Sequence, residues 1–485
     1  MLSKILLTTL GISFGIFTLL ATTFSLKWII LLSSALAMLV ALTIFPNMKR
    51  ILLTLMIVDM DLLINKHFFH NPDVIASSEG LQVSITTITL ILLYILLWMD
   101  MVTKRARRIE FFPKTTVIAI GYLFSCLLSM YNSPNLLMSI FDIFFRTQMI
   151  MVYFYIANYI TSKVDMIYIA RILLICLFIQ STILLIQNIT ETKFNLVGKI
   201  SSVDVLEYSH RGRSMAFSRP VGTGGSPNET GGHIAILLLV TLSLLLYTKS
   251  RFENTLVWIV LLMGMAALIL TFSRGSWVGF AVGLVVFLFV ALRHHWMSWK
   301  KVITVAILIV MILGVFSVPM AARLSQDDRG AAWARVPLMK LAFNMIQEHP
   351  FIGIGVNNFS IELPRYLSSE LRGEWLYIVH NQYLLVFAET GIIGLFFFLS
   401  VIAIVMQTCL RCIKHNDPLI SPLSTGILSG IIALSIFMTV ELSISRLTVQ
   451  LFWIMASIVM ASERLIRMNR KQFLNLSSPM KVGNL

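Results

Sequence analysis

Apolar runs of about 20 residues recur along this chain, and a run of that length spans a bilayer as an α-helix. With 57% hydrophobic and only 13% charged residues, the 485-residue chain is too apolar to be a soluble domain. We therefore predict an all-α, polytopic integral membrane protein with about 12–14 transmembrane helices. The candidate spans lie near residues 5–25, 28–45, 51–65, 81–100, 115–133, 136–160, 167–189, 233–248, 255–271, 276–292, 302–319, 380–407, 419–440 and 446–462.

Lysine and arginine are unevenly distributed between these spans. They concentrate in alternate connections, around residues 49–50, 104–114, 249–251, 293–301 and 411–414, as is typical of cytoplasmic loops. This pattern predicts that both termini are cytoplasmic, and it accounts for the net charge of +15 without nucleic-acid binding. The predicted units are an N-terminal transmembrane bundle (1–189), a first outer loop (190–232), central transmembrane helices (233–319), a large outer loop (320–379), C-terminal transmembrane helices (380–462) and a cytoplasmic tail (463–485).

The two long outer segments are basic, unlike the short outer connections. The first carries Arg211, Arg213 and Arg219, and the second includes Arg329 and Arg335. Long loops cross the membrane largely regardless of their charge, so these segments do not contradict the topology. An anionic substrate at the outer surface would explain why they are basic.

The second outer segment also shows local order. Polar and apolar residues recur at helical spacing between Trp333 and Glu348, which predicts an amphipathic helix at the membrane interface. His349-Pro350 should end this helix, and Gly353 and Gly355 permit a tight turn after it. Asp327-Asp328 precedes the helix, where a role at the helix start is favoured over metal binding.

Three stretches of this sequence form a recognisable pattern. The loop EHPFIGIGVNNF (348–359) is followed by HNQYLLVFAETGIIG (380–394), and Ser273-Arg274-Gly275 follows an earlier apolar span. Together they resemble the O-antigen ligase and O-antigen polymerase superfamily of membrane glycosyltransferases. The resemblance implies a GT-C-like membrane enzyme in which Arg219 and Arg274 hold a lipid-linked pyrophosphate and His380 is the essential histidine. It does not separate ligases from polymerases.

The chemistry of these three residues is compatible with such roles, and each also has a structural alternative. Arg274 can bind pyrophosphate through a bidentate pair of hydrogen bonds, or it can anchor a short turn by snorkelling. Arg219 lies in a run rich in Gly and Pro that lets backbone N–H groups approach a ligand, or that is simply a flexible loop. His380 can accept a proton from a sugar hydroxyl near neutral pH, or it can cap a helix.

Further polar residues are weaker candidates. Asp142 and Arg146 are one helical turn apart within a span and should pair with each other. Glu389, nine residues after His380, should face away from it and pair with a cation elsewhere. Asp59 and Asp61 in a short span receive no role. The candidates for guiding the substrate are Arg211, Arg213, Arg329, Arg335, Asn381 and Tyr383.

The resemblance implies a membrane glycosyltransferase, and the basic outer loops and Arg274 agree with it. Arginines in place of a metal predict that it needs no metal or cofactor, and a single displacement predicts inversion of the anomeric centre. The resemblance implies a polyprenyl-pyrophosphate-linked glycan as donor and a glycan or glycolipid as acceptor, at the outer face of the cytoplasmic membrane. The lipid bilayer and other polysaccharide-assembly proteins are the expected partners. Two alternatives stay open: a transporter or flippase of lipid-linked oligosaccharides, which should hold its charged site near the bilayer midplane, and a scaffold of an envelope-assembly complex.

Overall fold

The structure is a computed structural model that describes residues 47–69, 78–103, 109–191, 204–210, 213–248, 250–300, 335–367 and 378–477, with position 33 and isolated positions within 302–320. Of residues 204–218 and 471–477 only the backbone is described. In chain order the described helices are α1 (Met48–Leu62), α2 (Ile85–Val102), α3 (Pro113–Ser129), α4 (Leu136–Tyr159), α5 (Lys163–Thr190), α6 (Pro227–Leu242), α7 (Arg251–Leu270), α8 (Arg274–Arg293), α9 (Arg335–Glu348), α10 (Phe359–Glu362), α11 (Gln382–Lys414), α12 (Ile420–Phe437) and α13 (Arg446–Ser477).

Ten helices of the described part are long and apolar enough to cross a membrane. They correspond to ten of the predicted spans, so the prediction of an all-α, multi-pass membrane protein is confirmed. The predicted span near 5–25 lies outside the described residues, as do the span near 28–45 apart from position 33 and most of the span near 302–319. The remaining one, near 51–65, is α1, which has 15 residues and is shorter than a full span.

Two antiparallel hairpins accompany the helices, and the sequence analysis did not predict them. Strand β1 (Asn65–Phe68) pairs with β2 (Leu81–Ser84), and β3 (Asp204–His210) pairs with β4 (Arg213–Arg219). Both lie in connections between helices. The β3–β4 hairpin occupies the first predicted outer loop and leads directly to the glycine-rich turn before α6.

Helices α6, α12 and α13 form the interior of the bundle and are buried over most of their length. Glycines allow the helix axes to approach closely there. A Cβ added to Gly279 of α8 would lie 2.7 Å from the Ala433 carbonyl oxygen of α12, and one added to Gly426 of α12 would lie 2.8 Å from the Leu239 oxygen of α6. The peripheral helices instead expose apolar side chains such as Phe124, as expected for surfaces that face lipid.

Helix α9 is the predicted amphipathic helix. It buries Leu338, Leu341 and Met345 in a cluster that includes Leu385 of α11, while Phe343 on its other side is exposed. The helix ends at Glu348, directly before His349-Pro350, as predicted.

The loop after α9 is fastened to a break in α11. Gly353 and Gly355 adopt φ values of +72° and +105°, which confirms the predicted turn, and Gly391 interrupts α11 at φ +66° and ψ −170°. The Ile354 N–H donates to the Ala388 oxygen at 2.9 Å, and the Ile392 N–H donates to the Pro350 oxygen at 2.9 Å. The most recognisable stretches of the sequence therefore form a structural joint that sets the position of the first half of α11.

Candidate functional site

Arg219 lies at the end of β4, and its contacts include two neutral acceptors. Its Nε donates to the Thr271 carbonyl oxygen at 2.8 Å, and its Nη2 donates to Asn228 Oδ1 at 2.5 Å. The chain then turns through Gly222, at φ +61°, whose backbone N–H and C=O both bond to the Gln187 side chain of α5. The glycine-rich run is thus a turn attached to a neighbouring helix, and it places Arg219 beside the first turn of α6.

Glu441 joins this arginine to a second one. The Asn228 Nδ2 donates to Glu441 Oε1 at 2.7 Å, and Arg335 Nη2 donates to the same oxygen at 2.6 Å. Arg335 Nη1 also donates to the Val440 oxygen at 2.9 Å. Glu441 therefore lies at the centre of a network that connects α6, α9 and the α12–α13 connection.

Sequence reasoning missed Glu441 and Asn228. Glu441 follows the predicted span 419–440, and a single acid at a span boundary was the available signal. Nothing in the local sequence shows that it meets Arg335, which lies 106 residues away in the chain.

The residues that follow His380 bond to the residues that flank Glu441, which places His380 in the same region. The Asn381 Nδ2 donates to the Thr439 oxygen at 2.9 Å, and the Gln382 Oε1 accepts from the Ser443 N–H at 3.0 Å. These bonds hold the 380–382 segment against the residues on either side of Glu441. The pKa of His380 is lowered by burial, raised by the nearby Glu441 carboxylate and lowered by Arg335, and the net direction is below its ordinary value.

The helix-cap alternative for His380 does not fit the structure. Helix α11 begins at Gln382, and Asn381 is its N-cap, with its Oδ1 accepting from the backbone N–H groups of Tyr383 and Leu384 at 3.0 Å. The helix predicted near 380–407 therefore begins two residues later than the first residue of that span. The cap is Asn381, because its short side chain returns to the first turn.

Arg274 borders this region as the first residue of α8. Ser273 caps the helix and accepts from the Ser276 N–H at 3.4 Å. A Cβ on Gly275 would lie 2.8 Å from Val440 Cγ2, so the start of α8 packs against the residue before Glu441. Thr271, whose carbonyl oxygen accepts from Arg219, lies three residues before Arg274, and the turn between them leads into α8. The segments of Arg219, Arg274, Arg335 and His380 thus converge at one end of the bundle.

An apolar cavity adjoins this polar network. Its wall near the site includes Gln382, Met438 and Ser443, which neighbour His380 and Glu441 in sequence. Its remaining wall consists mainly of apolar side chains of α4, α11, α12 and α13, including Phe145, Phe398, Ile402, Leu434, Val449 and Phe452. The cavity is small, about 70 Å³, and Arg146 also lines it, so it is a mostly apolar space with one partly buried cation beside the 380–382 segment.

Several predicted residues lie elsewhere. Arg211, Arg329 and the Asp327-Asp328 pair lie outside the described residues, as does the side chain of Arg213. Tyr383, a candidate for guiding the substrate, donates its hydroxyl to the Ser435 oxygen of α12 at 2.8 Å, and the polar groups of Asn381 are engaged as described above. Both therefore make contacts within the protein.

The two predictions for buried carboxylates have different outcomes. Asp142 and Arg146 form the predicted ion pair, and Arg146 Nη1 also donates to the Tyr122 hydroxyl at 2.9 Å. Glu389 accepts from the Phe359 N–H at 3.3 Å, and no cation of the described residues lies within ion-pair distance of it. Glu389 thus forms no direct ion pair with a cation of the described residues; Phe359, the first residue of α10, supplies a backbone donor, and Arg146 interacts with the carboxyl electrostatically at longer range.

The helices and this site define a multi-pass membrane protein with a cationic, histidine-containing site at one end of its bundle. Residues 258–399, which include Arg274, Arg335 and His380, match the family model described as O-Antigen ligase. The predicted resemblance to the O-antigen ligase-like superfamily is confirmed by this match. It supports a membrane glycan ligase- or polymerase-type function and a glycosyltransferase-like enzyme. A comparison with curated proteins finds no match.

Proposed function

We propose that this protein transfers a glycan from a polyprenyl-pyrophosphate-linked donor to a hydroxyl of a glycan or glycolipid acceptor, at the outer face of the cytoplasmic membrane. The observation that carries the proposal is the network in which Asn228 and Glu441 connect Arg219 to Arg335, beside His380. Such a site combines positive charge with a proton acceptor, and glycosyl transfer from a pyrophosphate requires both.

The arginines would stabilise the leaving group. When the acceptor oxygen attacks the anomeric carbon, the bond between that carbon and the pyrophosphate oxygen breaks, and its electron pair remains on the pyrophosphate. Guanidinium groups can neutralise this developing charge through paired hydrogen bonds. Arg274, at the first position of α8, and Arg219, beside the first turn of α6, are assigned this role. A single displacement inverts the anomeric configuration.

His380 would accept the proton that the acceptor hydroxyl loses. Since burial lowers its pKa, with Glu441 and Arg335 acting in opposite directions, the imidazole is neutral at pH 7 and can act as a base. The active form is the neutral one. Activity should therefore be constant from neutral pH down to mildly acidic pH and fall only as the pH drops through the lowered pKa of His380.

The decisive test is reconstitution of the purified protein with a lipid-linked oligosaccharide. Lengthening of the glycan with a second lipid-linked repeat indicates a polymerase, and transfer to a terminal glycolipid indicates a ligase. A His380→Asn protein is the matched control and should give neither product. Movement of the lipid-linked sugar across a proteoliposome without any new glycosidic bond would support the transporter alternative and contradict the proposal.

A further inference from the structure

The end of α1 carries two buried carboxylates that the proposed reaction does not use. Asp59 and Asp61 are both fully buried, and they face different partners. Asp61 Oδ1 lies 2.8 Å from Nε2 of His233 on α6, whose side chain is also fully buried. The remaining polar atoms of this pair, Asp61 Oδ2 and His233 Nδ1, have no hydrogen-bond partner among the described residues.

Asp59 forms the second pair, with Arg446 at the start of α13. The Asp59 carboxylate accepts from Arg446 Nη1 and also from the backbone N–H and hydroxyl of Thr86, both at 2.8 Å. Arg446 Nη2 donates to the Asp59 carbonyl oxygen at 3.1 Å. The arginine is thus bound to both the side chain and the backbone of one residue of α1.

Each partner lies close in sequence to a residue of the candidate site. His233 follows Asn228 by five residues, about one and a half turns of the same helix. Arg446 follows Glu441 by five residues, and the intervening segment is held by Gln382 through Ser443 at 3.0 Å. Asn228 and Glu441 are themselves bonded at 2.7 Å. Helix α1 therefore fastens both segments that form the centre of the network.

We infer that Asp59 and Asp61 are positioning residues, which set the distance between Glu441 and Asn228 by holding the first turns of α13 and α6. Asp61 acts through His233 on the segment that orients Arg219, and Asp59 acts through Arg446 on the segment that carries Glu441. This inference rests on the proposed glycosyl transfer, since it concerns the geometry of that site.

Stability alone gives little reason for this arrangement. Removing two charges from water is costly, and well-packed apolar residues often stabilise a protein equally well. A charged pair with several hydrogen bonds, however, fixes the direction and distance of its partners more narrowly than an apolar contact. Catalytic groups must be positioned this narrowly, because a displacement of about 1 Å can reduce a rate by about 100-fold.

The test compares Asp61→Asn and Asp59→Asn with Glu463→Gln in the full-length protein. Glu463 of α13 pairs with Nε of Arg411 at 2.7 Å. Arg411 lies near the C-terminal end of α11, whereas the candidate site lies at the N-terminal end, so this ion pair is the control. The substrate is a lipid-linked oligosaccharide. Each rate is divided by the amount of folded protein, which is measured by size-exclusion chromatography.

The two variants should give different kinetic signatures. Asp61→Asn should raise the KM for the donor roughly 10–100-fold, because Arg219 loses its orientation. Asp59→Asn should lower kcat by a similar factor and move the acidic limb of the pH profile to lower pH, because Glu441 no longer raises the pKa of His380. Glu463→Gln should retain the wild-type KM, kcat and pH profile.

A second variant covers the case in which Asp59→Asn does not fold, since it leaves Arg446 buried and unpaired. The double variant Asp59→Asn/Arg446→Gln removes both charges and should show the same low kcat. Wild-type kinetics per folded molecule in Asp61→Asn and in the double variant, alongside an active wild-type enzyme, would overturn this inference alone. Absence of glycan transfer by the wild-type enzyme would overturn the proposed function, and the inference with it.

Discussion

Gly391→Ala tests whether the joint between α11 and the loop after α9 holds the fold together. Gly391 has φ +66° and ψ −170°, a region that residues with a Cβ avoid at a cost of about 1–3 kcal/mol. The added Cβ would lie 2.2 Å from the backbone carbon and oxygen of Phe351, so the loop must move away. That movement breaks the bonds from the Ile392 and Ile393 N–H groups to Pro350 and Phe351, each worth about 1 kcal/mol. The sum is about 3–5 kcal/mol.

Thermal unfolding of the detergent-solubilised protein, followed by tryptophan fluorescence, measures this effect. Gly314→Ala is the control, because a Cβ at Gly314 meets no atom of the described residues within 4 Å. It should leave the stability unchanged or raise it by about 0.5–1 kcal/mol, as expected for alanine in a helix. Gly391→Ala should unfold at a clearly lower temperature than the control and should lose activity, since α11 follows His380. If the two variants unfold at the same temperature, the joint does not have the geometry described.

The remaining predictions concern the site and its orientation. His380→Asn should lose roughly 10²–10⁴ of the rate, the usual contribution of a positioned base, and keep wild-type stability because Asn381 provides the cap; near-normal turnover would remove His380 from the mechanism. Arg274→Lys should retain its charge but lose most of its activity, because lysine cannot form the bidentate contact, and full turnover would make Arg274 a membrane anchor. Activity should survive removal of divalent ions with EDTA, and restoration by Mg²⁺ after a loss would indicate a metal site. A cysteine at the exposed Arg365 should react with an impermeant thiol reagent in intact cells while one at the exposed Lys414 should not, and the opposite labelling would reverse the proposed orientation.

Much of the local structure was predictable because it depends on residues close together in sequence. The apolar runs predict the helices, since backbone groups in a bilayer must be bonded within their own segment. His349-Pro350 ends α9 through the restriction that proline places on the preceding backbone, and the four-residue spacing of Asp142 and Arg146 predicts their ion pair. Arg219, Arg274 and His380 were identified by resemblance, and the structure places their segments at one end of the bundle.

The connections between these segments were decided by the tertiary structure. Glu441 and Asn228 are separated by 213 residues, and Asp59 and Arg446 by 387. Neither pair has a periodicity or spacing that reveals it, because which helices become neighbours depends on how all apolar faces and glycine contacts pack together. Glu389 illustrates the same limit: its burial was predictable from its position in a span, but one of its donors is the N–H of Phe359, the first residue of α10. The sequence by itself thus determined the helices and the chemical character of the site, whereas helix packing decided which polar groups meet, since these contacts depend on the position of every other helix.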